Sequence, residues 1–547
     1  MRQVISELTI ARNVPARMRD GVVLRANVYR PTLGGPWPVL LTRTPYGKDL
    51  PGAAAWLDPV RAAAAGFMVI VQDVRGRFAS SGEWEPFTHE SSDGYDTVQW
   101  AAGLDGSNGR VGMFGLSYWG STQWLAAIAQ PPALCAIAPG MTWSDPDDGL
   151  LRRGGAVQLA SGVVWGLEQG LDCVRRSADS PDQVRRRLRG LVTARDSVAH
   201  RELWQLPASV SSLLNAHGVP GLGEGAAAAA RCRVSGRHDR VHVPVFGIGG
   251  WHDAFLQGVL DNHSAMVALG RDTRIVIGPW SHSNWTDVVG GLSFGVDARM
   301  DGGPTGGPGD LGAMQLDWFR HHLTPARTRE QTWPPARVFV MGIDRWREEA
   351  TWPPPGAVRW RWYLQSGGTL SPTSSAAGEP VGTFVYDPSD PVPSTPAGTS
   401  LSSPDPSGPV EQTAIEARPD VLVFTSAQLP EDLEVAGRVR VGLHARSSAP
   451  STDWVARLCD VRPDGSSYRI CDGILRVSDA HRPQLREIDL WSTHNVFRRG
   501  HRVRLQITSS SFPRWDRNLN TGDQSVAAHR PAHQRLLSGS WLELPAR

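Results

Sequence analysis

The stretch Val111–Gly120 reads Val-Gly-Met-Phe-Gly-Leu-Ser-Tyr-Trp-Gly and constrains the fold more than any other part of the chain. Val111 to Phe114 have strand character, Gly115 interrupts them, and a helix is expected from about Ser121. A serine on such a sharp strand-to-helix corner has its hydroxyl pushed clear of the backbone. The following amide and the helix N-terminus face the same side, which suits a nucleophile. Small residues belong beside it, because larger side chains would collide with the strand or helix. One departure stands out. The second glycine of this pattern is expected two residues after the serine, where Trp119 stands, and Gly120 follows one later. A Gly-x-Ser alone also fits an ordinary turn, so an acid and a base are needed downstream.

Both follow strand-like runs. Val243–Gly249 reads as a buried strand, with Gly250-Trp-His-Asp253 after it; Arg274–Gly278 reads likewise, with Pro279-Trp-Ser-His282 after it. Loops after the carboxyl ends of parallel strands converge on one edge of the sheet. The chain order Ser117, Asp253, His282 is that of α/β-hydrolases. Ser117 needs a base to remove its proton; His282 can do this and later protonate the leaving group, with Asp253 holding the imidazole. Simpler readings exist: Asp253 as the N-cap of a helix from Ala254, and His282 as a loop histidine. His252 competes as base, but on a short loop its side chain should point away from that of Asp253. The oxyanion needs aimed donors. The Tyr118 amide is the first. A second is expected from Thr44-Pro-Tyr-Gly47, after the strand Pro38–Arg43. There Tyr46 can supply its phenol or merely pack in the turn.

Four stretches together resemble the cocaine esterase group, related to X-Pro dipeptidyl-peptidases and α-amino-acid ester hydrolases. They are Thr44-Pro-Tyr-Gly-Lys48, Gly115-Leu-Ser-Tyr-Trp-Gly120, Gly250-Trp-His-Asp-Ala-Phe255 and Gly278-Pro-Trp-Ser-His-Ser-Asn284. The resemblance implies Ser117 as nucleophile, Asp253 and His282 as its partners, and an oxyanion hole from the Tyr46 hydroxyl and the Tyr118 amide. It also accounts for the shifted glycine. It extends to Asp73-Val-Arg-Gly-Arg77, Asp344-Arg-Trp-Arg347, Ser509–Pro513 and Asp516-Arg-Asn518, nearly the whole chain. It further implies that Phe255 and Trp165 line a substrate pocket, with Trp143 a further candidate.

The texture has three parts. Strands alternate with helices over residues 1–143 and again over 241–351, giving two parts of one α/β-hydrolase domain. Residues 144–240 between them carry helical periodicity and read as a cap insert over the site. Residues 352–547 show short alternating runs, such as Arg438–His444 and Arg502–Thr508, and read as an all-β jelly-roll sandwich. The stretch from about 385 to 413, rich in Pro, Ser and Asp, should be an irregular surface loop.

A net charge of +2 over 547 residues implies no nucleic-acid or membrane partner. The run Arg185–Arg187 with Arg189 should be a solvated helix face. The start, Met1–Glu7, is too polar for a signal peptide, and no apolar run reaches the ~20 residues of a membrane span. A cytoplasmic enzyme is therefore expected, and a homodimer is compatible with the sequence. Five scattered cysteines make no disulfide framework; Cys459 and Cys471 lie on neighbouring strand-like segments but are expected as free thiols. No metal signature or cofactor motif is present; His321 and His322 have no second ligand pair.

Twenty-two tryptophans are many for this length. Trp119, Trp251, Trp280 and Trp285 lie in or beside the motifs and suggest an aromatic-walled pocket. The reading is a serine esterase acting on a small-molecule ester through an acyl-enzyme. The alternatives are an X-Pro-type peptidase or amidase, an acyltransferase, and a binding protein on a hydrolase scaffold.

Overall fold

The computed structural model describes residues 7–52, 56–223, 225–303, 310–324, 333–374, 378–394, 408–525 and 527–547. Its first sheet has ten strands. They are β1 (Leu8–Arg17), β2 (Val23–Pro31), β3 (Trp37–Thr44), β4 (Met68–Asp73), β5 (Ser107–Leu116), β6 (Leu134–Gly140), β7 (Val245–His252), β8 (Thr273–Ser281), β9 (Ala336–Val340) and β10 (Arg345–Glu349). They lie in the order β1-β2-β4-β3-β5-β6-β7-β8-β9-β10. From β4 to β9 every pairing is parallel. The edges, β1–β2–β4 and β9–β10, are antiparallel. Every residue of β4 is buried, as a parallel strand covered on both faces requires.

Alternation along the strands divides two cores. Val39, Leu41, Met68 and Ile70 pack with Val98, Trp124 and Met266 of the helices Glu90–Ala102, Tyr118–Ala129 and Leu256–Ala268. Leu40 and Val69, one residue out of phase, pack with Ala62, Ala63, Trp318 and Phe319 of the helices Pro59–Ala64 and Leu311–Leu323. This is an α/β-hydrolase fold.

Between β6 and β7 the sheet is interrupted by helices at Leu159–Arg175, Pro181–Asp196, Val210–Asn215 and Ala226–Cys232. Their own core includes Leu159, Val163, Leu167, Leu191 and Leu214, joined by Phe512 from the C-terminal region. Arg185, Arg186 and Arg189 are exposed on Pro181–Asp196.

A second large sheet spans Val358–Gln365 to Ala532–Ala546 and closes over one core. In Leu433–Ser447 the residues Val439, Val441 and Leu443 point inward while Arg438, Arg440 and His444 do not. This is the expected β-rich jelly-roll domain. The irregular stretch 385–413 is described only at its ends; residues 395–407 lie outside the described residues. Cys459 and Cys471 lie on paired strands and, like the other three cysteines, are free thiols. Among the described residues no helix is long and apolar enough to cross a membrane, and no His/Cys/Asp/Glu group is placed to hold a metal.

Candidate active site

Ser117 occupies the corner between β5 and the helix Tyr118–Ala129 with φ 58° and ψ −124°. A non-glycine residue there is strained and is held by its surroundings. Ser117 N–H donates to Gly140 O at 2.9 Å, tying the corner to the end of β6. The helix starts at Tyr118, three residues before the sequence suggested, and the serine side chain makes no capping bond. The misplaced glycine now has a reason. A Cβ at position 120 would meet Gly140 O at 2.8 Å and Thr142 Cβ at 2.9 Å, so the helix packs on β6 through residue 120. Gly115, at φ +133°, would place a Cβ 2.6 Å from Trp119 Cβ.

β7 and β8 are adjacent and parallel, with His252 paired to Ser281. The next residue of each strand is therefore brought together. Asp253 Oδ2 lies 2.6 Å from His282 Nδ1, and both side chains are buried. The other carboxylate oxygen accepts Phe255 N–H at 2.7 Å, so Asp253 also serves the turn into Leu256–Ala268. His252 points elsewhere. Its ring faces Phe294, and burial, then the Arg469 charge, drive its pKa down to about 3. Among the described residues Ser117 and His282 are not hydrogen-bonded to each other. Such bonds are often long without substrate.

Tyr46 follows β3, and its ring packs against Tyr118 and Trp119 at 6.4 and 5.7 Å. Its phenol oxygen accepts Trp165 Nε1–H at 3.1 Å. Ser117 lines the same pocket beside it; burial is the dominant influence and pushes the phenol up to about 12. A phenol has one proton. With Trp165 donating to the oxygen, that proton is left for the Ser117 side. Tyr118 is the first residue of its helix, where the backbone N–H has no intrahelical acceptor. Its own phenol points away, donating to Glu90 Oε1 at 2.8 Å and accepting Phe87 N–H at 3.1 Å.

The pocket over Ser117 is walled by Phe87, Trp143, Leu150, Trp165, Leu222 and Phe255. Phe255 stands edge-on to His282 at 5.1 Å. Trp143, Trp165 and Phe255 are among the pocket's walls. Trp119 is not: its side chain turns toward Gly115 and Tyr46, because the first helical turn carries it down against β5. Trp251, Trp280 and Trp285 are also outside this pocket. Trp251 and Trp280 pack on Trp352 and Trp346, and Trp285 on Trp56. The wall is aromatic, but most of it comes from elsewhere. Phe87, stacked on Tyr118 at 4.2 Å, carried no sequence signal. Nor did the bond from Trp165 to Tyr46, which joins residues 119 positions apart.

Comparison with known proteins agrees with this architecture. The family model described as X-Pro dipeptidyl-peptidase (S15 family) matches residues 20–284, and that of the X-Pro dipeptidyl-peptidase C-terminal non-catalytic domain matches residues 330–540. A cocaine esterase of Rhodococcus sp. (strain MB1 Bresler) is 36% identical over 558 residues, covering 94% of this chain and 93% of that protein. An aminopeptidase from the marine sediment archaeon Thaumarchaeota archaeon shares the fold at TM-score 0.79 and 23% identity, over 100% of this chain and 97% of that one. An α-amino acid ester hydrolase does so at TM-score 0.78 and 23% identity, over 100% and 98%.

Proposed function

The chain belongs to the cocaine esterase family of serine ester hydrolases, and from that premise we propose that it cleaves small carboxylic esters through an acyl-enzyme on Ser117. His282 takes the Ser117 proton as the hydroxyl attacks the ester carbonyl. Asp253 fixes the imidazole through Nδ1 and stabilises the cation that forms. The oxyanion is met by the Tyr46 hydroxyl and the Tyr118 amide. His282 then gives its proton to the departing alcohol, and a water activated the same way releases the acid.

The observation that carries this reading is the 2.6 Å Asp253–His282 contact at the sheet edge that also bears the strained Ser117. The test is labelling by a fluorophosphonate, with hydrolysis of an aryl ester measured in parallel. Labelling and turnover should both vanish in Ser117→Ala. Labelling that persists in the variant refutes the assignment.

A peptidase reading is favoured by the S15 family match. Capture of a substrate amino group needs a carboxylate in the pocket. Among the described lining residues, which are aromatic, aliphatic or small, Ser117 and Ser161 are the only aliphatic hydroxyls and none is an acid. Burial of an ammonium against those residues alone would be uncompensated. An X-Pro anilide offered beside the aryl ester separates the two: faster cleavage of the anilide selects the peptidase.

A further inference from the structure

Arg77 is only 1% exposed, and the chemistry above does not use it. It lies in the turn after β4, within Asp73-Val-Arg-Gly-Arg77. The turn is tight: Gly76 has φ +68°, and a Cβ there would sit 2.2 Å from Trp84 N. The guanidinium joins two distant segments. Its Nε donates to Pro45 O at 2.8 Å, the carbonyl just before Tyr46. Its two terminal nitrogens donate to Gln169, one to the backbone oxygen and one to Oε1, each at 3.0 Å. Gln169 lies one helical turn beyond Trp165 on Leu159–Arg175.

The same turn holds the other end of the Tyr46 loop. Asp73 Oδ1 accepts Lys48 N–H at 2.6 Å, and Oδ2 lies 3.3 Å from Lys48 Nζ. Tyr46 therefore sits between two anchors. The helix is tied back as well: Asp172 accepts Phe78 N–H at 3.0 Å and lies 3.7 Å from Arg77 Nε. The guanidinium also stacks 4.3 Å from the centre of the Trp84 ring, which packs on Trp165 at 5.6 Å. Only a planar fork with several fixed donors meets these partners together.

We propose that Arg77 is a positioning residue for the oxyanion hole. It locks the loop carrying Tyr46 to the cap helix carrying Trp165, so that the indole N–H stays on the phenol oxygen and the phenol proton stays aimed at Ser117. The proposal rests on the reading of Tyr46 as an oxyanion donor. The guanidinium charge acts in the same sense: it pulls the Tyr46 phenol down against the rise that burial causes.

The test is steady-state kinetics on an aryl ester for Arg77→Met and Arg77→Lys, each in the wild type and in Tyr46→Phe. Arg77→Met should lower kcat about 10–100-fold, with KM within about threefold, since a misplaced donor acts on the transition state. Arg77→Lys keeps the charge but not the fork and should lose about tenfold. In the Tyr46→Phe background Arg77→Met should cost less than about threefold, because no phenol remains to position. An equal factor in both backgrounds overturns the proposal, as does a change confined to KM. Gln169→Ala covers the case in which Arg77→Met does not fold, because it removes only the Oε1 acceptor. It should lower kcat about threefold in the wild type and leave Tyr46→Phe unchanged; equal loss in both again overturns the clamp. A Tyr46→Phe enzyme within about threefold of wild type would instead sink the underlying assignment of Tyr46.

Discussion

Tyr46→Phe removes one oxygen that does two things, and the structure separates them. The first is catalytic. Losing one preorganised donor at a developing alkoxide costs about 10²–10³-fold in kcat, or roughly 3–4 kcal/mol, with KM little changed. The second is structural. The phenol oxygen is the acceptor for Trp165 Nε1, and Trp165 is only 6% exposed. Without it the indole N–H is buried and orphaned, which costs about 1–3 kcal/mol. Tyr46→Phe should therefore be less stable as well as slower, although a phenol facing only the active site would cost no stability. Trp165→Phe costs packing of its own but removes the donor, so in that background Tyr46→Phe should cost little further stability, and the double variant should lose less than the sum of the two single losses. It should recover none of the kcat. The measurements are urea unfolding and steady-state hydrolysis of an aryl ester for the four proteins. The reasoning fails if Tyr46→Phe keeps kcat within about threefold. It also fails if the stability losses of the two single variants simply add.

Ser117→Ala should fold and lose several orders of magnitude in turnover, since the three groups act as a unit; retention of a tenth of wild-type activity would place the nucleophile elsewhere. Gly120→Ala should destabilise by about 1–3 kcal/mol, because its Cβ meets Gly140 O and Thr142 with no room to yield; an unchanged unfolding midpoint would contradict the packing. Acid should weaken the fold through two neutral histidines, the half-buried His252 and the buried His263, whose pKa values desolvation lowers to about 3 and about 4. Below about pH 6.5 the unfolded chain binds protons that the folded one refuses. Stability is then full above that pH and falls as pH drops toward 4, by about 2 kcal/mol per histidine at pH 5. Denaturant unfolding at pH 7 and 5 checks this, and equal free energies at both would refute it. Tyr46, at about 12, stays protonated through the whole working range, so no loss of activity between pH 8 and about 10 should disappear in Tyr46→Phe.

The sequence made the sheet legible wherever a strand ended in a motif. β5, β7 and β8 each run as apolar residues into a glycine-bearing corner, and Ser117, Asp253 and His282 follow from where those corners must lie. The shifted glycine was visible but not explicable, since Gly140 and Thr142, which exclude a side chain at 120, are contacts across the sheet. Trp119 misled because proximity in sequence to a nucleophile says nothing of direction; the first helical turn rotates it away from the pocket. Phe87 and Leu222 were illegible for the opposite reason. They come from loops with no periodicity, Phe87 in the hydrolase body and Leu222 in the cap, and only the complete fold brings them to the serine.

Trp165 shows why the cap is more than a cover. One face of its indole lines the pocket, and its N–H fixes the Tyr46 phenol. The wall that receives the substrate and the donor proposed to hold the oxyanion thus share a single side chain. That chain stands on a helix that Arg77 and the Phe78 N–H of the hydrolase body hold through Gln169 and Asp172. A substitution that widens the pocket at Trp165 must also release the phenol. Changing substrate preference there therefore cannot leave turnover untouched, whereas Phe87, Leu150 and Leu222 face the same pocket without a bond to Tyr46. The two groups of positions differ physically: one couples recognition to transition-state stabilisation, and the other shapes the pocket alone.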